Sequence, residues 1–255
     1  MAALTIQFHG ELNDFLPPAR REQALTYVVA ERQSIKDVIE ALGVPHPEVG
    51  QIVVHGRSLD FDYLVQADDY VEVYPAYSAC HLPEYPQLQP VPAPRFVLDV
   101  HLGRLAEYLR LLGFDTLYRN DYDDPQLAAI AGREQRILLT RDLGLLKRSV
   151  VTFGVYVRAT DPQRQVLEIV GRFNLWDALH PFQRCSRCNG MLEDVPKAAI
   201  EHQLLPQTKQ EHDAFKQCQA CGQIYWAGSH FVRLREFIDR IRAQRPPGAH
   251  QAYQP

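Results

Sequence analysis

Aspartates follow three predicted strands in the middle of this sequence of 255 residues. Asp99 ends the apolar run "RFVLD", Asp142 follows the run "RILLT", and Asp121, Asp123 and Asp124 crowd the loop after a further strand. Each could simply cap a helix or lie in a solvated turn, which is the more common use of aspartate. The carboxyl ends of parallel strands meet at one sheet edge, however, and carboxylates gathered there repel one another unless they share a cation. The pattern therefore predicts a site for Mg²⁺ or Mn²⁺, hard ions that prefer oxygen ligands.

A metal ion held by a few carboxylates can activate a water molecule and polarise a phosphodiester. Hydrolysis of a phosphodiester is therefore the chemistry that these residue types favour. Neither the phosphate-binding motif GxxxxGK nor the dinucleotide-binding motif GxGxxG occurs in the sequence. Hydrolysis of nucleoside triphosphates and binding of dinucleotides are thus unsupported.

Four of the five cysteines form two pairs, Cys185-x-x-Cys188 and Cys218-x-x-Cys221. Two such pairs supply four thiolates, which is the ligand set of a closed, tetrahedral structural zinc site. A redox centre is the alternative interpretation, because a single pair of this kind could serve as one. The 29 residues between the pairs exceed the usual spacing of a zinc ribbon, and we expect them to form helical insertions.

The composition is that of an ordinary soluble protein, with 46% hydrophobic and 23% charged residues and a net charge of −4. No apolar run approaches the roughly 18 residues of a membrane span, and the amino terminus lacks the features of a signal peptide. We therefore expect a cytoplasmic protein, in which metal binding explains paired cysteines better than disulfides do. The charge is uneven, because residues 1–80 carry 12 acidic and 5 basic side chains, whereas residues 180–255 carry 7 acidic and 10 basic ones.

The elements that would position these residues fall into three segments. The first segment has the predicted order strand, strand, helix, strand, strand, with Ser34 as the N-cap of the helix and Gly43 at its end. The stretch "YPAYSACHLPEYPQLQPVPAP" follows, and its six prolines indicate a linker. Strands then alternate with helices, which is typical of a parallel sheet with helices on its faces.

The order of these motifs resembles the Mut-seven-C ribonuclease family, a branch of the PIN-like nucleases that is fused to a zinc ribbon. The resemblance covers about residues 95–235 and rests on "RFVLDVHLGRLAEYLRLLGFDTLYRNDYDDPQLAAIAGREQRILLTRDLGLLKR", "RCSRCNGMLEDV" and "CQACGQIYWAGSH". The first segment is similar to the ubiquitin-like β-grasp domain that is sometimes attached to this family, and it also resembles sulfur-carrier proteins. It lacks their diglycine tail, so we expect it to bind a protein partner or to act as a scaffold.

The resemblance implies an α/β fold with a PIN-like parallel sheet, flanking helices and a C-terminal zinc ribbon, preceded by an α+β β-grasp domain. The expected boundaries are 1–78 for the β-grasp domain, 79–94 for the proline-rich linker, 95–180 for the nuclease domain, 181–240 for the zinc ribbon and 241–255 for a disordered tail.

The resemblance also implies a metal-dependent ribonuclease. By motif, the catalytic ligands of Mg²⁺ or Mn²⁺ would be Asp99, Asp124 and Asp142. Thr140 would support the site by hydrogen bonding to a ligand or to a metal-bound water. Asp121 and Asp123 are candidates for a fourth acid.

Cations near these motifs could bind the RNA backbone, although a solvated surface explains them as well. The candidates are Arg104, Arg110, Arg141, Arg184, Arg187 and Arg233. Tyr225, Trp226 and Phe231 lie in the ribbon and could stack on unpaired bases of single-stranded RNA. We expect Trp226 and Phe231 rather to form the small core of the ribbon.

The leading hypothesis is a ribonuclease that depends on Mg²⁺ or Mn²⁺ and whose zinc ribbon helps to bind the RNA. The alternative is a non-catalytic RNA-binding or adaptor protein that retains the PIN-like fold. A scaffold related to sulfur carriers is a third hypothesis, and it rests on the amino-terminal segment alone.

Overall fold

The computed structural model describes residues 3–30 and 32–246. The chain divides into two compact units, one made of residues 1–92 and 123–156 and the other of residues 93–122 and 157–255. None of the helices in the described part of the chain is long and apolar enough to cross a membrane.

Among the described residues, the amino-terminal part of the first unit is a five-stranded sheet accompanied by one α-helix, α1 (Ile35–Ala41), and three short 3₁₀ helices. The strands are β1 (Ala3–Phe8), β2 (Ala24–Val28), β3 (Val49–Val54), β4 (Arg57–Ser58) and β5 (Tyr70–Pro75). Their order in the sheet is β2-β1-β5-β3-β4. Strand β1 runs antiparallel to β2 and parallel to β5, and β3 runs antiparallel to both β4 and β5. This topology confirms the predicted β-grasp domain.

Strand alternation and a helix cap explain how this sequence forms a core. Buried residues alternate with half-buried ones along β1, so that Leu4, Ile6 and Phe8 point to one side of the sheet. Ser34 caps α1 as predicted: its Oγ accepts the Asp37 N–H at 3.2 Å, and the Asp37 carboxylate accepts the Ser34 N–H at 3.3 Å.

The segment 79–94 contains neither helix nor strand, but it is fastened to β3. The side-chain amide of the buried Gln51 donates to the carbonyls of Leu82 and Tyr85, at 2.9 and 2.6 Å. The Gln51 side-chain oxygen accepts the Leu82 N–H at 2.9 Å. The middle of this proline-rich segment therefore lies along the β-grasp sheet.

Parallel strands and helices alternate in the next part of the chain. The elements are β6 (Arg95–Leu98), α2 (Gly103–Leu111), β7 (Asp115–Leu117), α3 (Asp124–Glu134), β8 (Ile137–Thr140), α4 (Leu143–Leu146), β9 (Gly154–Tyr156) and α5 (Pro162–Arg172). Strand β6 pairs in parallel with β7, and β8 pairs in parallel with β9. The four strands belong to a four-stranded sheet, which confirms the predicted α/β fold class.

The ribbon of the second unit is a three-stranded antiparallel sheet followed by a long helix. Its elements are β10 (Leu192–Val195), α6 (Lys197–Ile200), α7 (Pro206–Glu211), β11 (Phe215–Cys218), β12 (Ile224–Trp226) and α8 (Ser229–Ala243). Helices α6 and α7 lie between the two cysteine pairs, where helical insertions were expected.

The ribbon has a small core of its own, formed by Ile200, Leu204 and Phe215. The expectation that Trp226 and Phe231 form this core was wrong. Trp226 keeps 40% of its surface exposed, and Phe231 packs on Phe182 with ring centroids 4.6 Å apart. The helical insertion supplies Ile200 and Leu204, so the apolar side chains that the small sheet needs come from between the cysteine pairs.

Helix α8 extends into the segment 241–255, for which disorder was predicted. Ile241 lies one helical turn after Phe237, and both side chains are buried, so the helix continues to Ala243. Residues 247–255 of that segment lie outside the described residues.

Candidate functional site

The four paired cysteines form a compact cluster. Their Sγ atoms all lie within 4.8 Å of one another. The Sγ atoms of Cys185 and Cys221 are 3.7 Å apart, and those of Cys188 and Cys218 are 3.4 Å apart. The cysteines are free thiols, and four sulfur atoms about 2.3 Å from a tetrahedral zinc ion lie about 3.8 Å from one another. The cluster therefore has the size of a closed zinc site and could bind zinc.

Backbone N–H groups favour a thiolate within this cluster. Burial raises the pKa of Cys218, but hydrogen bonds from the N–H groups of Cys221 and Ala220, together with those from the side chains of Cys188 and Cys221, outweigh it and lower the value to about 7. Burial raises the pKa of Cys188 to about 12. Neighbouring thiolates repel one another, and a divalent cation removes this repulsion. The donor set therefore suits a metal ion better than it suits four bare thiolates.

Tyr225 and Gly190 lie against the sulfur atoms of the cluster. The Tyr225 hydroxyl lies 3.0 Å from Cys185 Sγ, and burial together with this contact raises the Tyr225 pKa to about 12. A Cβ atom at Gly190 would lie 2.9 Å from Cys218 Sγ, so the backbone approaches the sulfur more closely than a side chain permits. Tyr225, a candidate for base stacking, therefore supports the cysteine cluster instead.

Arg110 is a structural residue, and its assignment as a candidate RNA contact was wrong. Its guanidinium is buried, with 4% of the residue exposed, and it donates to the carbonyls of Ser186 and Arg187 at 3.1 Å each and of Thr116 at 2.9 Å. Arg110 thus fastens the first cysteine pair to the end of α2. The signal in the sequence was its position four residues after the buried Ala106, on the apolar side of the helix.

Asn189, which the sequence analysis did not single out, makes a second connection of this kind. It accepts the Thr116 N–H at 3.0 Å and donates to the Asp115 carboxylate at 2.8 Å. Arg184 donates to the carbonyls of Gly113 and Asn189, at 3.2 and 3.1 Å. Part of the Arg184 guanidinium is therefore already engaged in holding the first cysteine pair.

The other candidate RNA contacts differ in exposure. Arg187 and Arg233 are exposed in the second unit, and Arg141 is half-buried in the first. Arg104 is 72% exposed and pairs with Glu107 on the same helix at 2.5 Å. Exposed guanidinium groups such as those of Arg187 and Arg233 can meet phosphate without first being released from a buried partner.

Asp142 caps α4, which is the more common use of an aspartate after a strand. Its Oδ1 accepts the N–H of Gly144 at 2.6 Å and the N–H of Leu145 at 3.2 Å. Thr140 Oγ1 accepts the backbone N–H of Asp142 at 2.9 Å, which fixes the turn between β8 and α4. Both cap bonds end on the same carboxylate oxygen, so Oδ2 can take a cation while the cap stays formed.

The remaining candidate carboxylates have different environments. Asp123 forms a capping box with Gln126 at the start of α3, and the exposed Asp121 pairs with Arg119 at 2.6 Å, which lowers the Asp121 pKa. Asp124 is half-buried in the first turn of α3, and its Oδ2 lies 4.0 Å from Arg148 Nη2. Asp99 directly follows β6 in the second unit and is 5% exposed.

Comparison with protein families gives two matches that together span most of the chain. Residues 94–238 match the Mut7-C RNAse domain, and residues 1–81 match the Mut7-C ubiquitin domain. Comparison with curated proteins and with solved structures gives no match. The nuclease domain points to RNA as a partner, and the ubiquitin-like domain suggests an interaction with a protein. The RNAse match alone covers more than half of the sequence, and this chain therefore belongs to the Mut7-C RNAse family, with the ubiquitin-like domain in front of the nuclease.

Proposed function

We propose that this chain is a ribonuclease that uses Mg²⁺ or Mn²⁺ to hydrolyse phosphodiester bonds of single-stranded RNA in the cytoplasm. The observation that carries the proposal is the match of residues 94–238 to the Mut7-C RNAse domain. That stretch includes the three aspartates whose positions relative to strands and helices favour a metal site.

In this proposal Asp99, Asp124 and Asp142 hold the ion. The bound ion would supply an activated water and stabilise the leaving oxygen of the phosphodiester. Asp142 combines two roles, because its Oδ1 caps α4 and its Oδ2 remains for the cation. Thr140 acts through Asp142, since its hydroxyl accepts the N–H of that residue and so sets the direction of the carboxylate.

Asp121 and Asp123 are the candidates for a fourth acid. Asp121 is the weaker one, because both of its oxygens already accept hydrogen bonds from Arg119, at 2.9 and 2.6 Å, and a metal would have to displace or share that cation. Asp123 caps α3 through Oδ1 alone, as Asp142 caps α4, so its cap can stay formed while Oδ2 takes a cation.

The ribbon binds RNA in this proposal, and the four cysteines hold a structural zinc ion. Arg187, between the two cysteines of the first pair, and Arg233 on α8 are exposed and can contact phosphates, and the half-buried Arg184 is a further candidate. The proposal specifies single-stranded RNA, because the exposed indole of Trp226 offers a surface on which an unpaired base can stack.

The test uses labelled single-stranded RNA, Mn²⁺ and the variant Asp142→Asn. Asparagine is as good an N-cap as aspartate, so the variant removes the charge and keeps α4 capped. We expect cleavage to fall by about a hundredfold or more, as for other groups that stabilise charge in a transition state.

The matched control is Asp161→Asn. Asp161 caps α5 in the same way, by accepting the N–H groups of Gln163 and Arg164 at 3.1 and 3.0 Å, but the proposal gives it no ligand role. Cleavage by this control should be unchanged. Equal rates for Asp142→Asn and the original chain would exclude the proposed site. RNA binding without any cleavage by the original chain would instead support a non-catalytic RNA-binding or adaptor protein.

A further inference from the structure

The β-grasp domain contacts the part of the chain that follows Asp142, within the first compact unit. Lys147, directly after α4, donates from Nζ to the backbone carbonyl of Glu40 at 2.7 Å. The Tyr156 N–H on β9 donates to the carboxylate of Glu48 at 2.6 Å. We call residues 40–48 the docking segment. Two hydrogen bonds thus connect this segment to both ends of the stretch 147–156.

A buried histidine makes the third connection. His46 is 4% exposed; its Nε2 lies 2.8 Å from the carbonyl oxygen of Val151, and its Nδ1 lies 2.6 Å from the Glu40 carboxylate. Both ring nitrogens face an oxygen, so a protonated ring can donate to both and form an ion pair with Glu40. These polar groups bond to one another instead of to water, so breaking the contact without exposing them to water would cost free energy.

Apolar packing accompanies these polar contacts. A Cβ atom at Gly154 would lie 2.7 Å from a methyl carbon of Leu146 and 3.5 Å from Cβ of Pro47, so β9, α4 and the docking segment meet with little space between them. Elsewhere in the β-grasp domain, the ring of Phe15 makes an edge contact with the ring of Tyr156 on β9, with centroids 5.8 Å apart. The docking segment therefore restrains α4 as well as β9.

Helix α4 depends on such restraint. It has only four residues, and a helix of this length is unstable by itself. The Asp142 carboxylate caps its amino-terminal end, and Lys147, the residue directly after its carboxyl-terminal end, bonds to Glu40. Contacts at both ends of this short helix therefore restrain the Asp142 side chain.

We propose that the ubiquitin-like domain positions Asp142, with the docking segment holding α4 so that the carboxylate is preorganised. What Asp142 then does rests on the proposed function, but the restraint itself does not. The rival account is that the domain only stabilises the fold. The two accounts differ in what happens to α4 and Asp142 when the whole chain remains folded.

The test variant is Lys147→Met, which removes the bond to Glu40 and keeps the apolar stem of the side chain. Its matched control is Arg57→Met on the exposed edge strand β4 of the same domain, outside the docking segment. Hydrogen exchange of the Gly144 and Leu145 amides, the two groups that bond to Asp142, should accelerate by about fivefold in Lys147→Met, as expected for the loss of one hydrogen bond. The control should exchange at the original rate.

A second measurement uses Mn²⁺ alone as the probe of the carboxylates. Lys147→Met should bind Mn²⁺ more weakly and cleave with a lower kcat at an unchanged KM for RNA. His46→Asn should show the same changes to a larger extent, provided that it folds, and Lys147→Met decides the question if it does not.

Unchanged amide exchange and unchanged Mn²⁺ binding in Lys147→Met, with a lower Tm, would overturn the proposal in favour of simple stabilisation. The exchange measurement is independent of catalysis. If the original chain neither binds Mn²⁺ nor cleaves RNA, the proposed function fails, and the amide exchange alone still decides whether the docking segment restrains α4.

Discussion

The β-grasp domain and the cysteine ribbon are both small sheets, but their stabilisation differs. The β-grasp core contains fifteen buried apolar residues, whereas the separate core of the ribbon contains Ile200, Leu204 and Phe215. Burial of three such side chains contributes about 2–3 kcal/mol each, which is too little to offset the conformational entropy of the ribbon. The comparison teaches that the β-grasp domain folds by apolar burial, whereas the ribbon has little apolar burial of its own and has four clustered cysteines that could bind a stabilising zinc ion.

Removal of the metal should have the largest effect and acts directly on this difference. We expect about one zinc per chain, and its loss should cost the ribbon about 10 kcal/mol, the order of binding free energy in small zinc domains. After chelation, or in Cys218→Ser, the amides of β11 should exchange freely while those of β1 stay protected. The control is Cys80→Ser, because Cys80 lies outside the cluster. Protected β11 amides in metal-free protein would show that the ribbon folds without an ion.

A core truncation in the β-grasp domain should destabilise that domain and leave the ribbon unaffected. Phe8 is 1% exposed, and Phe8→Ala should lower the free energy of unfolding by about 3–5 kcal/mol in urea denaturation. Zinc content should be unchanged. Val28→Ala is the matched control on the neighbouring strand, because Val28 is 57% exposed and its loss should cost less than about 0.5 kcal/mol. A loss of zinc in Phe8→Ala would contradict the expectation that the ribbon binds its ion without help from the β-grasp core.

Arg110→Met sharpens the comparison by testing a polar connection in the ribbon. The change leaves the carbonyls of Ser186 and Arg187 without their donor, at a cost of about 1–3 kcal/mol. Zinc affinity should fall by about tenfold or more, because the first cysteine pair loses its support. Competition with a chromogenic chelator measures this affinity, and Arg104→Met, at an exposed position on the same helix, should leave it unchanged. Equal affinities for both variants would remove the role assigned to Arg110.

The smallest expected effect is at the cap of α1. Ser34→Ala should lower the free energy of unfolding of the β-grasp domain by about 1 kcal/mol, because the Asp37 N–H loses its acceptor. Ser34→Asn should restore most of that loss, since asparagine is also a good N-cap. Equal stability of the alanine and asparagine variants in thermal denaturation would show that the cap contributes nothing.

Local patterns explain which features could be predicted from the sequence. A Cys-x-x-Cys pair places two ligands on one turn, so the four cysteines were identifiable without knowledge of the fold. The Ser34 cap and the strand alternation that buries Leu4, Ile6 and Phe8 are equally local. The family resemblance and the β-grasp topology were therefore within reach of the sequence.

Features that depend on distant partners could not be predicted. Arg110 bonds to carbonyls that lie 76 and 77 residues away, and His46 bonds to a carbonyl that lies 105 residues away. No spacing rule connects such positions. The ligand roles of Asp99, Asp124 and Asp142 and the cytoplasmic location stay predictions, because they depend on an ion and a cell rather than on a contact within the chain.

The docking segment has a consequence for how this protein is made. The β-grasp strands are complete once residue 75 has been synthesised, and amino-terminal domains generally fold first on the ribosome. The bonds of His46 to the Val151 carbonyl and of Glu48 to the Tyr156 N–H, however, can form only after residues 151 and 156 have emerged. Until then the surface of the docking segment that these residues later cover is exposed to water. The earliest domain therefore reaches its final environment only when a much later stretch of the chain has been translated.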